Sequence, residues 1–201
     1  MWNLQRSLMF ALVLAAVGCT SASIEASWRS PTAPHLSNVV TLSPAPDGAV
    51  RRSTEDKLAQ ELSLRGVRAV PAYTVLTDQD LNNRETMMAK LRAGGFDSIV
   101  SMRLVGAHQV LRYYPAFNDY WGGAWGYWGG WGGYGGTLIP ETIIRVEVNA
   151  YSLDNGQLIW SAMSKSVDPA SAWQVVSDVT KLVTDKLAQE RLLGRPQEAM
   201  R

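Results

Sequence analysis

Few side chains in this chain could carry covalent or acid–base chemistry. Cys19 is the only cysteine among 201 residues, and His35 and His108 are the only histidines. Cys19 follows Arg6 and the apolar run Leu8-Met9-Phe10-Ala11-Leu12-Val13-Leu14-Ala15-Ala16-Val17-Gly18. A positive start, an apolar stretch and a small residue before a cleavage point describe an export signal. The roughly ten apolar residues fall short of the ~20 that span a bilayer. His35 lies in a Ser/Ala/Pro-rich stretch and His108 on an apolar strand, so spacing offers neither a zinc cluster nor a catalytic partner. The Gly-x-Ser-x-Gly and His-Glu-x-x-His patterns are absent. Glu55-Asp56 and Asp78/Asp80 fall near expected helix starts, where the macrodipole favours acids. Arg51-Arg52 and Arg65/Arg68 read as a solvated helix face. No catalytic residue, metal site or cofactor is expected, and the chain is not expected to be an enzyme.

Aromatic side chains form the second outlier. The stretch 113–136 contains Trp121, Trp125, Tyr127, Trp128, Trp131 and Tyr134 spaced by glycines, with Asp119 as its only charge. Four of the chain's eight Trp residues are here, so the segment is built for contact rather than for a core of its own. Glycine runs lose much entropy on ordering and offer few branched side chains to bury. Four roles are open: a loose surface insert, a contact surface for another envelope protein, a headgroup-level membrane contact, and stacking on cell-wall glycan. A phosphate loop is excluded, because no Lys-Ser/Thr ending opens a helix.

Around these residues the chain is ordinary. Without its leader, about 183 residues remain, enough for one domain with a proper core. Arg6 leaves with the leader, so 18 basic residues meet 18 acidic ones and no nucleic-acid footprint is visible in the net charge. Export without a spare cysteine means a fold that relies on its core rather than on disulfides.

The elements that must position the insert are legible. Residues 20–36 read as a Ser/Ala/Pro-rich tether, reaching at most about 58 Å, with Trp28 as a lone docking aromatic. Asn38–Leu42 is a first strand. A helix capped by Asp47 or Ser53 and closed by Gly66 carries the stripe Val50, Thr54, Leu58 and Leu62. Val67–Val75 is a second strand, and Thr77, Asp78 and Asn83 cap one or two short helices. Asp97–Arg112 alternates as a long strand, with Val100, Met102, Leu104, His108 and Val110 on one side. Leu138–Leu153 and Leu158–Val167 flank Asn155-Gly156, predicting a type I′ hairpin that pairs Tyr151 with Trp160 and Val148 with Met163. Asp168-Pro169 is expected to open a final helix with the stripe Ala172, Val175, Val176, Val179, Leu182, Val183 and Leu187. Trp160 and Trp173 are expected in core or hairpin packing. The order β-α-β-α-β-β-β-α predicts an α/β (α+β) fold with helices packed on a mixed sheet.

Two resemblances add to this reading. Ala16-Val17-Gly18-Cys19 resembles the lipobox of bacterial lipoproteins, with Ala16 where that family more often has Leu. The resemblance implies cleavage before Cys19, a diacylglycerol thioether on its sulfur and an acylated amino terminus; ordinary secretion with cleavage after Ala22 is the alternative. The second rests on Glu55–Leu62 with Arg65-Gly66-Val67, on Gly95-Phe96-Asp97-Ser98-Ile99-Val100, on the Gly/aromatic insert and on Tyr151–Ser161. Over about residues 37–193 the chain resembles uncharacterised bacterial envelope lipoproteins. Their fold is similar to periplasmic modules such as the TolB amino-terminal domain, the curli secretion lipoprotein and the lipoprotein activators of penicillin-binding proteins. That resemblance implies architecture and compartment and supplies no catalytic residue.

The expected organisation is a signal peptide at 1–18, lipidated Cys19 and tether to 36, one domain at 37–193 with its insert, and a tail at 194–201. The expected role is a lipid-anchored, non-catalytic binding or scaffolding module, in the outer membrane facing the periplasm if the cell has two membranes. Its partners would be the membrane and another envelope protein, with cell-wall glycan possible and nucleic acid excluded. An envelope hydrolase using surface carboxylates and a purely structural membrane-surface lipoprotein are the alternatives.

Overall fold

The computed structural model describes residues 22–114 and 137–194. Among these, six strands and four α-helices form a mixed α+β fold, as the element order predicts. The strands are β1 (Ala22–Arg29), β2 (Asn38–Leu42), β3 (Arg68–Pro71), β4 (Ser98–Tyr114), β5 (Thr137–Ser152) and β6 (Leu158–Val167). The helices are α1 (Gly48–Leu64), α2 (Asp78–Leu81), α3 (Arg84–Ala93) and α4 (Ala172–Gln189). They build one sheet in the order β1-β6-β5-β4-β2-β3. β2 runs parallel to both β3 and β4, as the α-helical crossovers require, and the β4-β5-β6-β1 side is antiparallel.

Local chemistry accounts for most element ends. Asp47 Oδ1 accepts the Ala49 and Val50 N–H groups at 2.8 and 2.9 Å and starts α1. Gly66, at φ +82°, takes the left-handed position beyond its end. Thr77 and Asp80 form a reciprocal capping box for α2, and Asn83 caps α3. α4 begins three residues later than expected: Ser171, not Asp168, is its cap, its hydroxyl accepting the Gln174 N–H at 3.1 Å. Asp168 turns the chain at φ +44°, and its carboxylate accepts the Thr142 N–H at 2.6 Å.

α1 and α4 cover one face of the sheet. Leu58, Leu62, Val175, Val179, Val183 and Leu187 meet Val39, Val100, Met102, Val148 and Trp160 in the main core. Trp160 is fully buried and its indole N–H donates to Glu190 Oε2 at 2.9 Å, which satisfies its polar end. On the opposite face α3 closes a smaller core, where Met88 and Leu91 pack on Val40, Ile99 and Leu153.

Four expectations are corrected. Residues 22–29 of the expected tether form β1, paired antiparallel with β6 from Ala22↔Ser166 to Arg29↔Trp160, and Leu36 is fully buried. The sequence Ala22-Ser23-Ile24-Glu25-Ala26-Ser27-Trp28-Arg29 alternates with period two; Ala22 and Ile24 pack on the main core, and a bulge at Glu25 then turns Ala26 and Trp28 to the other face. The hairpin register is shifted: Val148 faces Ala162, Ala150 faces Trp160, and a bulge sets Tyr151 opposite Leu158. Of the turn residues only Gly156 has positive φ, and its N–H donates to Ser152 O at 2.9 Å, so a longer turn replaces the type I′ form. His108 does not share a face with Val100, Met102 and Leu104. A bulge between Leu104 and Gly106 adds one residue and turns His108 to the other side. Finally, Trp173 lies 54% exposed on the first turn of α4 instead of in the core.

Candidate interaction surface

The positions singled out for contact or modification lie outside the described residues. These are Cys19 and the aromatic set Trp121, Trp125, Tyr127, Trp128, Trp131 and Tyr134. What the structure gives is the framework to which both segments are joined.

β4 and β5 are far longer than their neighbours. β2 pairs with β4 only as far as Leu42↔Ser101, and β6 follows β5 only to Ile143↔Val167. Beyond these points β4 and β5 continue together through Tyr114↔Thr137 as a two-stranded ribbon. The ribbon leaves the sheet and carries the Gly/aromatic stretch at its end. Its pairing places Leu111 with Pro140 and Tyr113 with Leu138 on the face that α1 and α4 cover further down, and Arg112 with Ile139 on the other. Leu111, Tyr113, Leu138 and Ile139 are 67%, 57%, 58% and 46% exposed. An isolated two-stranded hairpin is marginal in water.

At the base of the ribbon the face covered by α1 and α4 holds an apolar cleft of about 150 Å³. Val50, Met102, Leu104, Val146, Ala172 and Val176 are among its walls. Val50, expected in the buried stripe of α1, lines this cleft and is 43% exposed. On the opposite face the ribbon base is polar. Arg145 reaches Glu25 of β1 at 2.8 and 3.3 Å and His108 Nε2 at 3.3 Å, tying the edge strand across the sheet. The Arg145 guanidinium holds the Glu25 carboxyl below the usual carboxylate range. Arg103 and Glu147 form a second cross-strand pair at 2.5 Å. A further cleft of about 280 Å³ lies under α3, between Arg84, Met87, Met88, Ile99 and Tyr151. Neither cleft's walls contain a histidine or a carboxylate. Among the described residues no group of three His, Cys, Asp or Glu side chains is placed to hold a metal.

The acids expected at helix starts divide. Asp78 and Asp80 do occupy the first turn of α2. Glu55 instead lies in the middle of α1, fully buried, a role that sequence spacing did not suggest. Its Oε1 accepts the Ser43 N–H and its Oε2 the Tyr73 N–H, each at 3.1 Å, with Arg51 Nε 3.6 Å away. Burial pushes the Glu55 carboxyl up from its usual value, against the opposing pull of these two N–H groups. The side chain is a clamp joining the loops after β2 and β3, and no cleft opens onto it from the sites above. Among the described residues no helix is long and apolar enough to cross a membrane.

No family profile matches the chain, and no curated protein matches it in sequence. Solved structures with a similar chain course include bacterial lipoproteins. The PelC dodecamer from Paraburkholderia phytofirmans aligns at 13% identity over 87% of this chain and 99% of its own, with a TM-score of 0.47. Lipoprotein GNA1162 from Neisseria meningitidis aligns at 14% identity over 76% and 99%, with a TM-score of 0.42. A minor lipoprotein from Acinetobacter baumannii aligns at 10% identity over 79% and 97%, with a TM-score of 0.35. At these values the likeness transfers no residue role, ligand or assembly to this chain.

Proposed function

We propose that this chain is a lipid-anchored envelope protein that works as a non-catalytic binding module, presenting its Gly/aromatic stretch on the β4–β5 ribbon to another envelope protein. The observation that carries the reading is the ribbon itself. A pair of strands that outruns its sheet and exposes Leu111, Tyr113, Leu138 and Ile139 is a presenting arm. At its end the sequence supplies Trp121, Trp125, Trp128 and Trp131, with Tyr127 and Tyr134, and Trp and Tyr dominate interface hot spots. The anchor is assigned to the sulfur of Cys19 by the lipobox-like Ala16-Val17-Gly18-Cys19. Thr20 is not the Asp that this resemblance associates with inner-membrane retention, so in a cell with two membranes the proposed site is the outer membrane, facing the periplasm.

The test is photo-crosslinking in living cells with the crosslinker at Trp125 of the lipidated protein. A discrete protein adduct, identified by mass spectrometry, is the expected result. Absence of protein adducts overturns the binding-module reading.

A further inference from the structure

The strand β1 changes what an anchor at Cys19 does. β1 is antiparallel to β6, and β6 is antiparallel to β5, so β1 and β5 run in the same direction. The register places Ala22 beside Ser166, Ser166 beside Ile144, and Ile144 beside Ala107. Ala22 therefore stands at the base of the ribbon, and β1 begins at the end of the sheet from which the ribbon projects. Only three residue steps separate Cys19 from Ala22, which limits the distance to about 11 Å. From Ile144 to Leu138 the ribbon extends six steps, about 20 Å. The ribbon thus outreaches the anchor on the same side of the molecule.

From this geometry we infer that the ribbon is a second membrane contact: Leu111, Tyr113, Leu138 and Ile139 sit at the headgroup level of the bilayer that holds the lipid on Cys19. The inference rests on the anchor proposed above. The placement of the side chains favours a lipid interface over a protein as the cover. Leu111, Tyr113 and Leu138 lie on one face of the ribbon and Ile139 on the other, so a partner seated on one face leaves the other in water. An interface that surrounds the ribbon covers both. Tyr113 is suited to that depth, since its ring is amphipathic. An envelope protein met by the aromatic stretch would then lie in or on this same membrane.

The full chain offers a clean test, because its only cysteine is the proposed lipidation site. A thiol introduced elsewhere is the single reactive one once Cys19 carries lipid. Leu138→Cys and, as a control, Asn155→Cys at the opposite end of the sheet are labelled with an environment-sensitive fluorophore. The lipidated proteins are placed in phosphatidylethanolamine/phosphatidylglycerol vesicles, with and without brominated acyl chains. The expected result is a blue shift and quenching of the Leu138→Cys label and neither change for Asn155→Cys. A lipidated protein whose Leu138→Cys label behaves like the control overturns the ribbon contact and leaves the anchor reading intact. Mass spectrometry of the mature amino terminus without a diacylglycerol group overturns the anchor, and this inference with it. Because Leu138 is exposed, its label does not depend on repacking the core; Leu111→Cys is the second position and must give the same result.

Discussion

At the scale of single residues, the most consequential side chain that is not a contact candidate is Glu55. Two loops hang on its carboxylate, through the N–H groups of Ser43 and Tyr73. Truncation to Ala leaves both donors without that acceptor in a buried setting, at about 1–3 kcal/mol for each unsatisfied group. Glu55→Ala is expected to lower stability by about 2–6 kcal/mol, read as a shift of the denaturation midpoint; a shift within error of zero refutes the clamp. Asp80 shows the opposite titration behaviour on the surface. The Lys90 ammonium, at 2.7 Å, and the N–H and hydroxyl of Thr77 hold its carboxyl down from 3.8 to about 2. Because the folded value is depressed, its contribution is fully present above the unfolded value and disappears as pH falls through about 2. Asp80→Asn should therefore lower Tm at neutral pH, with the gap to the parent protein closing as the pH approaches 2. A gap that stays constant over that range contradicts the assignment. Gly156 is the turn residue that must remain glycine. At φ +69°, an added Cβ would also lie 2.9 Å from Arg84 Nη2, and Gly156→Ala should cost about 1 kcal/mol or more of stability in thermal melts.

At the scale of elements, β1 is the part that composition concealed. Ser, Ala and Pro across 20–36 look like a linker, yet Ala22, Ile24, Ala26 and Trp28 alternate with Ser23, Glu25, Ser27 and Arg29. That period signals a strand against the weak strand propensity of Ser and Ala, and pairing with β6 decides the matter in the fold. Amide exchange distinguishes the two descriptions. Hydrogen-bonded β1 amides should be protected well above coil rates, whereas a free tether exchanges throughout at the coil rate. The strong signals held: Asn38–Leu42 and Leu158–Val167 form strands over the expected spans, and Asp47, Thr77 and Asn83 cap the helices assigned to them. Bulges were not legible. An extra residue between Leu104 and Gly106 leaves no mark on composition, yet it reverses the face of His108. The length of the ribbon was half legible. Alternation predicts strands reaching towards 112 and 138, but the point at which β2 and β6 stop pairing is a property of the assembled sheet.

For the whole molecule, the distance between Cys19 and the sheet sets how freely the domain moves. If Cys19 carries the proposed lipid, a 17-residue tether would let the domain sample a volume tens of ångströms across, whereas three residues between Cys19 and β1 would keep it close to the bilayer. With the proposed anchor and ribbon contact both in place, the two would act as linked contacts, and loss of one would weaken the pair by more than its own affinity. A flexible Gly/Ser spacer of about 15 residues inserted before Ala22 should lower the lipid quenching of a Leu138→Cys label without releasing the protein from vesicles. Unchanged quenching would mean that the ribbon finds the membrane without the short connection. The polar ties of β1, notably Arg145 to Glu25, then hold the edge strand on the sheet at the point where anchor and domain meet.

The direction of β1 also has a mechanical consequence. Any pull on the amino-terminal end of β1 directed along the sheet slides the strand lengthwise past β6. Its ladder from Ala22↔Ser166 to Arg29↔Trp160 is then loaded all at once, in shear, instead of being peeled open one bond at a time. A force applied at the amino-terminal end of the domain therefore meets the resistance of a whole strand.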